Sequence, residues 1–160
     1  MDTVRDIAYA LVVRMSNRKV ISLNRLVKLI YLVDWSATLN HAYKIPNLNW
    51  RNDICGPNDP IIVATLEKEK TILRVGNRYD DSEIVDVSVR VDDYEPKLSP
   101  EVDLAIQHIQ RIASNLPWEK LSLLVSSTYP VLISSIGDMI DLPKLAEEYK
   151  GVVQKSSNDK

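Results

Sequence analysis

The chain has 160 residues, with 20 basic and 22 acidic side chains and a formal net charge of −2. This length fits one domain with a core that needs no disulfides. The balanced charge excludes a general electrostatic attraction to nucleic acids or anionic membranes. A single cysteine excludes an internal disulfide, and no apolar run reaches the roughly 18 residues of a membrane span. Because the start lacks a secretion signal, we expect a soluble cytoplasmic protein without a membrane partner.

Apolar residues at helical spacing predict two helices over residues 4–15 and 23–39. Thr3 and Asp6 form a short capping box before the first helix. The second helix is apolar on nearly all its faces, which is typical of a helix buried on all sides. We therefore predict that it is central and that its core residues are almost fully buried: Leu26, Ile30 and Val33.

The middle of the chain favours short strands. Alternating apolar and polar residues predict a strand over 48–54, and the helix that follows should start at Asp59 or Pro60 and end at residue 68. Segments 72–75 and 84–91 should pair as an antiparallel hairpin. Because an isolated hairpin is marginally stable, the 48–54 strand or a helix must cover it.

The last third predicts three helices, over residues 101–114, 118–128 and 143–153. Ser99 and Pro100 give the first a clear start, and the second should end before Pro130. The fold class is therefore α+β, with a mainly helical single domain over residues 1–153 and a small antiparallel sheet. Residues 154–160 should form a frayed polar tail.

The sequence gives little support for catalysis or metal binding. His41 and His108 lack companions at ligand spacing, so no metal site is expected. Four glycines leave little room for a phosphate-binding loop, so no cofactor is expected. Cys55 could form a nucleophilic pair with either histidine, although a small buried hydrophobe is the simpler interpretation. Asp34 could be a perturbed acid, although a buried carboxylate that caps the backbone or pairs with an arginine is more common.

Nucleic acid is not expected as a partner. Basic residues gather near the turn between the first two helices, at Arg14, Arg18, Lys19, Arg25 and Lys28. The helix after that turn is too apolar to lie in a groove of DNA. A solvated helix end explains these charges.

Three stretches in this order resemble one family. They are residues 26–35 (Leu-Val-Lys-Leu-Ile-Tyr-Leu-Val-Asp-Trp), Trp50 followed by Gly56-Pro57, and residues 127–130 (Ser-Thr-Tyr-Pro). Together they resemble the Panacea domain, also described as the SocA-like antitoxin domain, over about residues 4–150. Cys55 departs from the pattern, since the family often has an aromatic residue before Gly-Pro. The DNA-binding segment to which members are often fused is not found.

The resemblance implies an antitoxin of a toxin–antitoxin system, in a prophage or in phage defence, that neutralises a protein toxin by direct binding. It does not name the toxin. Some members instead act as adaptors that present a toxin to a protease, which is the first alternative. The second alternative, from another class, is a Cys-dependent hydrolase or transferase. We expect a protein that is not an enzyme.

The motif residues divide into two groups. Seven should serve mainly the fold: Lys28, Tyr31, Asp34, Trp50, Gly56, Pro57 and Pro130. Five are candidates for contact with the partner: Arg51, Asn52, Asp53, Asn58 and Tyr129. By strand alternation Arg51 and Asp53 face opposite to Trp50. We predict that Trp50 packs against the central helix while Arg51 and Asp53 face the partner, since a tryptophan in a small domain is usually mostly buried.

Overall fold

Seven helices and five short strands make up the computed structural model, which describes residues 1–158. The helices are α1 (Val4–Met15), α2 (Leu23–His41), α3 (Pro60–Lys68), α4 (Pro100–Ala113), α5 (Trp118–Ser126), α6 (Tyr129–Ile133) and α7 (Leu142–Asn158). The strands are β1 (Val20–Ser22), β2 (Arg51–Asp53), β3 (Gly56–Asn58), β4 (Leu73–Asn77) and β5 (Val85–Val89). The predicted α+β class, a helical domain with a small antiparallel sheet, is confirmed.

Helix α2 is the centre of the domain. It contacts α1, α4, α5 and α7, and the side chains of Leu26, Ile30 and Val33 have no exposed surface. Its first turn is capped by Ser22, whose hydroxyl accepts a hydrogen bond from the Arg25 amide at 3.3 Å. The predicted central helix is confirmed.

The predicted helix starts are also confirmed. The Thr3 hydroxyl accepts from the Asp6 amide at 3.1 Å and caps α1. Ser99 accepts from the Val102 amide at 3.3 Å and caps α4, with Pro100 in the first turn. These contacts satisfy backbone amides that a helix leaves without internal partners.

The main sheet has the strand order β1-β5-β4, with both pairs antiparallel. The β4–β5 pair is the predicted hairpin, in register at Val75 and Val87. Strand β1 extends the sheet, with Ile21 opposite Val87, and helices α1, α2 and α3 contact the hairpin. Of the two expected covers, the helix is therefore confirmed and the 48–54 strand is wrong. After that run the chain turns back at Gly56, whose φ is +104°. Strand β2 therefore pairs with β3 in a separate two-stranded sheet.

The C-terminal part differs from its prediction at two boundaries. Helix α5 ends at Ser126, and Pro130 lies in the first turn of a further helix, α6, where its missing amide costs nothing. Helix α7 continues through residues 154–158, all exposed, beyond the predicted end at 153. The rest of the predicted tail, residues 159–160, lies outside the described residues.

Candidate functional site

A buried carboxylate joins the central helix to the segment that carries the candidate partner contacts. Asp34 has no exposed surface and accepts three hydrogen bonds, from Lys44 Nζ at 2.6 Å, Trp50 Nε1 at 2.8 Å and the Ile45 amide at 2.9 Å. Burial raises the pKa of Asp34 above its usual value, although Lys44 opposes this shift. Asp34 thus caps the backbone as expected, with lysine in place of the expected arginine as its ionic partner.

Trp50 and Tyr31 extend this connection to α5. Trp50 is fully buried and meets the Tyr31 ring edge-on, with the ring centroids 5.4 Å apart. The Thr128 hydroxyl donates to Val125 O at 2.7 Å, so Tyr31 is the donor in its 2.8 Å hydrogen bond with Thr128. Burial raises the pKa of Tyr31. The prediction that Trp50 packs against the central helix is confirmed.

A third segment borders β2 on the side away from β3. The Asn52 amide donates to Asp138 O at 2.8 Å, and the Gly137 amide donates back to Asn52 O at 2.7 Å. One step further, the Ile140 amide donates to Trp50 O at 2.8 Å. We call β2 and β3 with this bordering segment, residues 137–140, the ribbon. Backbone hydrogen bonds join β2 to residues 137–140 on one side, and the hydrogen bond from Trp50 to Asp34 joins the ribbon to α2.

The residues of the ribbon that were expected to contact a partner differ in their exposure. Arg51 and Asp53 are exposed, as strand alternation predicts, and Asn58 is half-buried. Asn52 is 4% exposed, so the expectation that it contacts a partner is wrong. It lies on the same face as Trp50, and its side-chain amide donates to Ser134 O at 3.3 Å.

The other candidate, Tyr129, is half-buried in the fold. Its ring packs on Tyr149 of α7 with the centroids 5.5 Å apart, and Tyr149 in turn meets Trp35 of α2. Its neighbour Pro130 is buried, as expected of a residue that serves the fold. Tyr129 therefore connects α6 to α7.

Lys28 lies under the turn of the ribbon. Its side chain was expected to reach into solvent, yet the residue is only 8% exposed. Lys28 Nζ donates to Cys55 O at 2.7 Å and lies 5.3 Å from the centroid of the Trp118 ring. Burial lowers the pKa of Lys28. Two depressions of about 340 and 490 Å³ meet at this lysine, and both are lined by Lys28, Cys55, Gly56 and Trp118.

Cys55 itself is exposed at the turn of the ribbon, so its interpretation as a small buried hydrophobe is wrong. The turn from β2 into β3 places it at the surface, between Asp53 and the left-handed Gly56. Its carbonyl oxygen, rather than its thiol, is the group that meets Lys28.

Exposed apolar side chains lie in the ribbon and on the helices and loop that follow it along the chain, and the sequence did not single them out. Ile54 is 84% exposed at the turn, and Leu123 of α5 lines the same depression. Met139 forms an isolated β-bridge with Arg51. We call the following residues the apolar rim: Ile54, Leu123, Leu132, Ile136 and Met139. For Leu132, Ile136 and Met139 the available signal was a run of apolar residues in a segment without helical or strand periodicity.

Comparisons with protein-family models, curated proteins and solved structures give no match to this chain. No group of three His, Cys, Asp or Glu side chains in residues 1–158 is arranged to hold a metal ion. None of the helices described above combines the length and hydropathy needed to cross a bilayer.

Proposed function

We propose that this protein is an antitoxin that neutralises a protein toxin by direct binding through the ribbon and its apolar rim. The observation that carries the proposal is the apolar rim, whose five residues are each more than half exposed, with Ile54 and Met139 in the ribbon and Leu123 in the same depression as Ile54. Exposed apolar patches bordered by polar residues are typical of protein-binding surfaces. The protein and its toxin meet in the cytoplasm.

The composition of the surface fits tight binding to a protein. Arg51 and Trp118, two residue types that often dominate interface energetics, lie at the ribbon and at the depressions beside it. Asp53 and Asn58 supply polar contacts around them. The motif resemblance supports the antitoxin class, and the exposed rim supports this surface as the binding site.

The test is co-expression with the toxin encoded by a neighbouring gene, in cells with and without their major cytoplasmic proteases. Wild-type protein should restore growth in both backgrounds, because direct binding needs no degradation. Ile54→Glu should abolish rescue, because it places a charge in the middle of an apolar contact, and its melting temperature should not change. Val152→Glu is the matched control, since Val152 is a half-exposed aliphatic residue near the end of α7.

Other results would replace the proposal. Rescue that disappears in protease-deficient cells would favour the adaptor alternative. Equal rescue by Ile54→Glu and Val152→Glu would remove the ribbon as the binding surface. Cys55→Ser should rescue like wild type. A folded Cys55→Ser variant that fails to rescue would favour a Cys-dependent hydrolase or transferase.

A further inference from the structure

Lys28 carries a largely buried charge that the described chain does not neutralise. No carboxylate in residues 1–158 lies within 4.0 Å of its Nζ. The contrast is Lys44, whose ammonium is paired with Asp34 at 2.6 Å. Lys28 Nζ donates one hydrogen bond, to Cys55 O, and lies over the face of the Trp118 ring. An ammonium has three donors, so this single hydrogen bond leaves donors available. A buried charge without a counter-ion lowers the stability of the folded state.

The surroundings of Lys28 leave room for an incoming group. The depression of about 340 Å³ has apolar walls that include Val27, Pro57 and Val63. Asp53 lies at its edge but beyond ion-pair distance from Lys28. At Gly56 a Cβ atom would lie 3.0 Å from Lys28 Nζ, so a larger residue there would crowd the ammonium.

We propose that Lys28 binds an aspartate or glutamate side chain of the protein partner, inserted between Trp118 and the Cys55–Gly56 turn. The aliphatic part of that side chain packs on the apolar walls, and its carboxylate receives the free donors of the ammonium. Ile54 of the apolar rim lines one of the two depressions at this point, so the acidic residue would belong to a segment with apolar neighbours. This inference rests on the proposed function and adds the chemistry of the partner.

The first experiment separates binding from stability. Lys28→Met keeps most of the side-chain volume and removes the charge, and Lys120→Met removes an exposed lysine of α5 as a control. We expect Lys28→Met to melt at or above the wild-type temperature, because it removes an unpaired charge, and to bind the toxin at least about tenfold more weakly. Lys120→Met should change neither property. Unchanged toxin binding by Lys28→Met would overturn the proposal.

The second experiment needs no toxin. Wild-type protein is titrated with a capped Leu-Glu-Leu peptide and with its Leu-Gln-Leu counterpart, while NMR follows the Trp118 indole N–H and the Lys28 side chain. The glutamate peptide should shift both signals in wild type, and in Lys28→Met it should leave the Trp118 signal in place. Equal shifts with both peptides, or none with either, would overturn the proposal. Shifts of the same two signals on raising the protein concentration alone would also overturn the proposal, because they would assign the depressions at Lys28 to a second copy of this chain.

The two proposals fail in different ways. If wild-type protein does not rescue cells but the glutamate peptide binds at Lys28, only the antitoxin proposal fails. If wild type and Lys28→Met rescue cells and bind the toxin equally well, only the Lys28 proposal fails.

Discussion

Replacing Trp50 with phenylalanine tests whether the buried carboxylate of Asp34 fixes the ribbon to the central helix. The substitution keeps an aromatic ring against Tyr31 but removes the indole N–H that donates to Asp34 Oδ2 at 2.8 Å. A hydrogen bond to a charged group contributes about 1.5–3 kcal/mol, and the space left by the smaller ring adds about 1 kcal/mol. We expect Trp50→Phe to lower the free energy of unfolding by about 2.5–4 kcal/mol.

The assay is urea unfolding followed by far-UV circular dichroism, in which a change of midpoint at constant slope reports stability. Trp118→Phe is the matched control, because Trp118 is 41% exposed and its indole N–H has no hydrogen-bond partner in residues 1–158. It should change the unfolding free energy by no more than about 0.5 kcal/mol. A cost below about 1 kcal/mol for Trp50→Phe, or equal costs for the two variants, would refute the assigned role of the Asp34 contact.

Two further predictions concern Arg51 and Asp2. Arg51→Glu should leave the unfolding free energy within about 0.5 kcal/mol of wild type and weaken toxin binding in a titration; unchanged affinity would place the interface elsewhere. Burial opposes ionisation of Asp2, but hydrogen bonds from the Tyr43 hydroxyl and the Ser99 amide outweigh it and hold the pKa of Asp2 below its usual value. A lowered pKa stabilises the fold above the unfolded-state pKa, so this stability is lost as pH falls below about 4. The stability gap between wild type and Asp2→Asn, measured by urea unfolding, should therefore shrink at acid pH, and a constant gap would contradict this assignment.

The sequence was sufficient where local pattern and tertiary structure agree. Helices α1, α2 and α4 combine an apolar stripe with a side-chain cap, and the β4–β5 hairpin combines alternation with a turn. In each case one short window contains both the element and its end signals. Strand alternation placed Arg51 opposite to Trp50, and the usual burial of tryptophan indicated which of the two faces packs inward.

The missed features depend on contacts between distant parts of the chain. Strand β1 has three residues, too few to show the apolar–polar alternation of a strand, and it forms because β5 lies beside it. Strand β3 reads Gly-Pro-Asn, a turn composition, and is a strand only because β2 lies beside it in antiparallel register. The burial of Lys28 requires Trp118, ninety positions along the chain, which no local pattern encodes.

The bordering segment 137–140 has a consequence for how a partner can be recognised. Strand β2 has neighbours on both sides, and β3 has only three residues, with Pro57, which lacks a backbone N–H, at its centre, so neither strand presents a long free backbone edge to another molecule. Recognition by adding a strand, in which main-chain hydrogen bonds supply affinity, is therefore disfavoured at this surface. Selectivity there must come from side chains such as Arg51 and Ile54, which can change in evolution without disturbing the backbone that presents them.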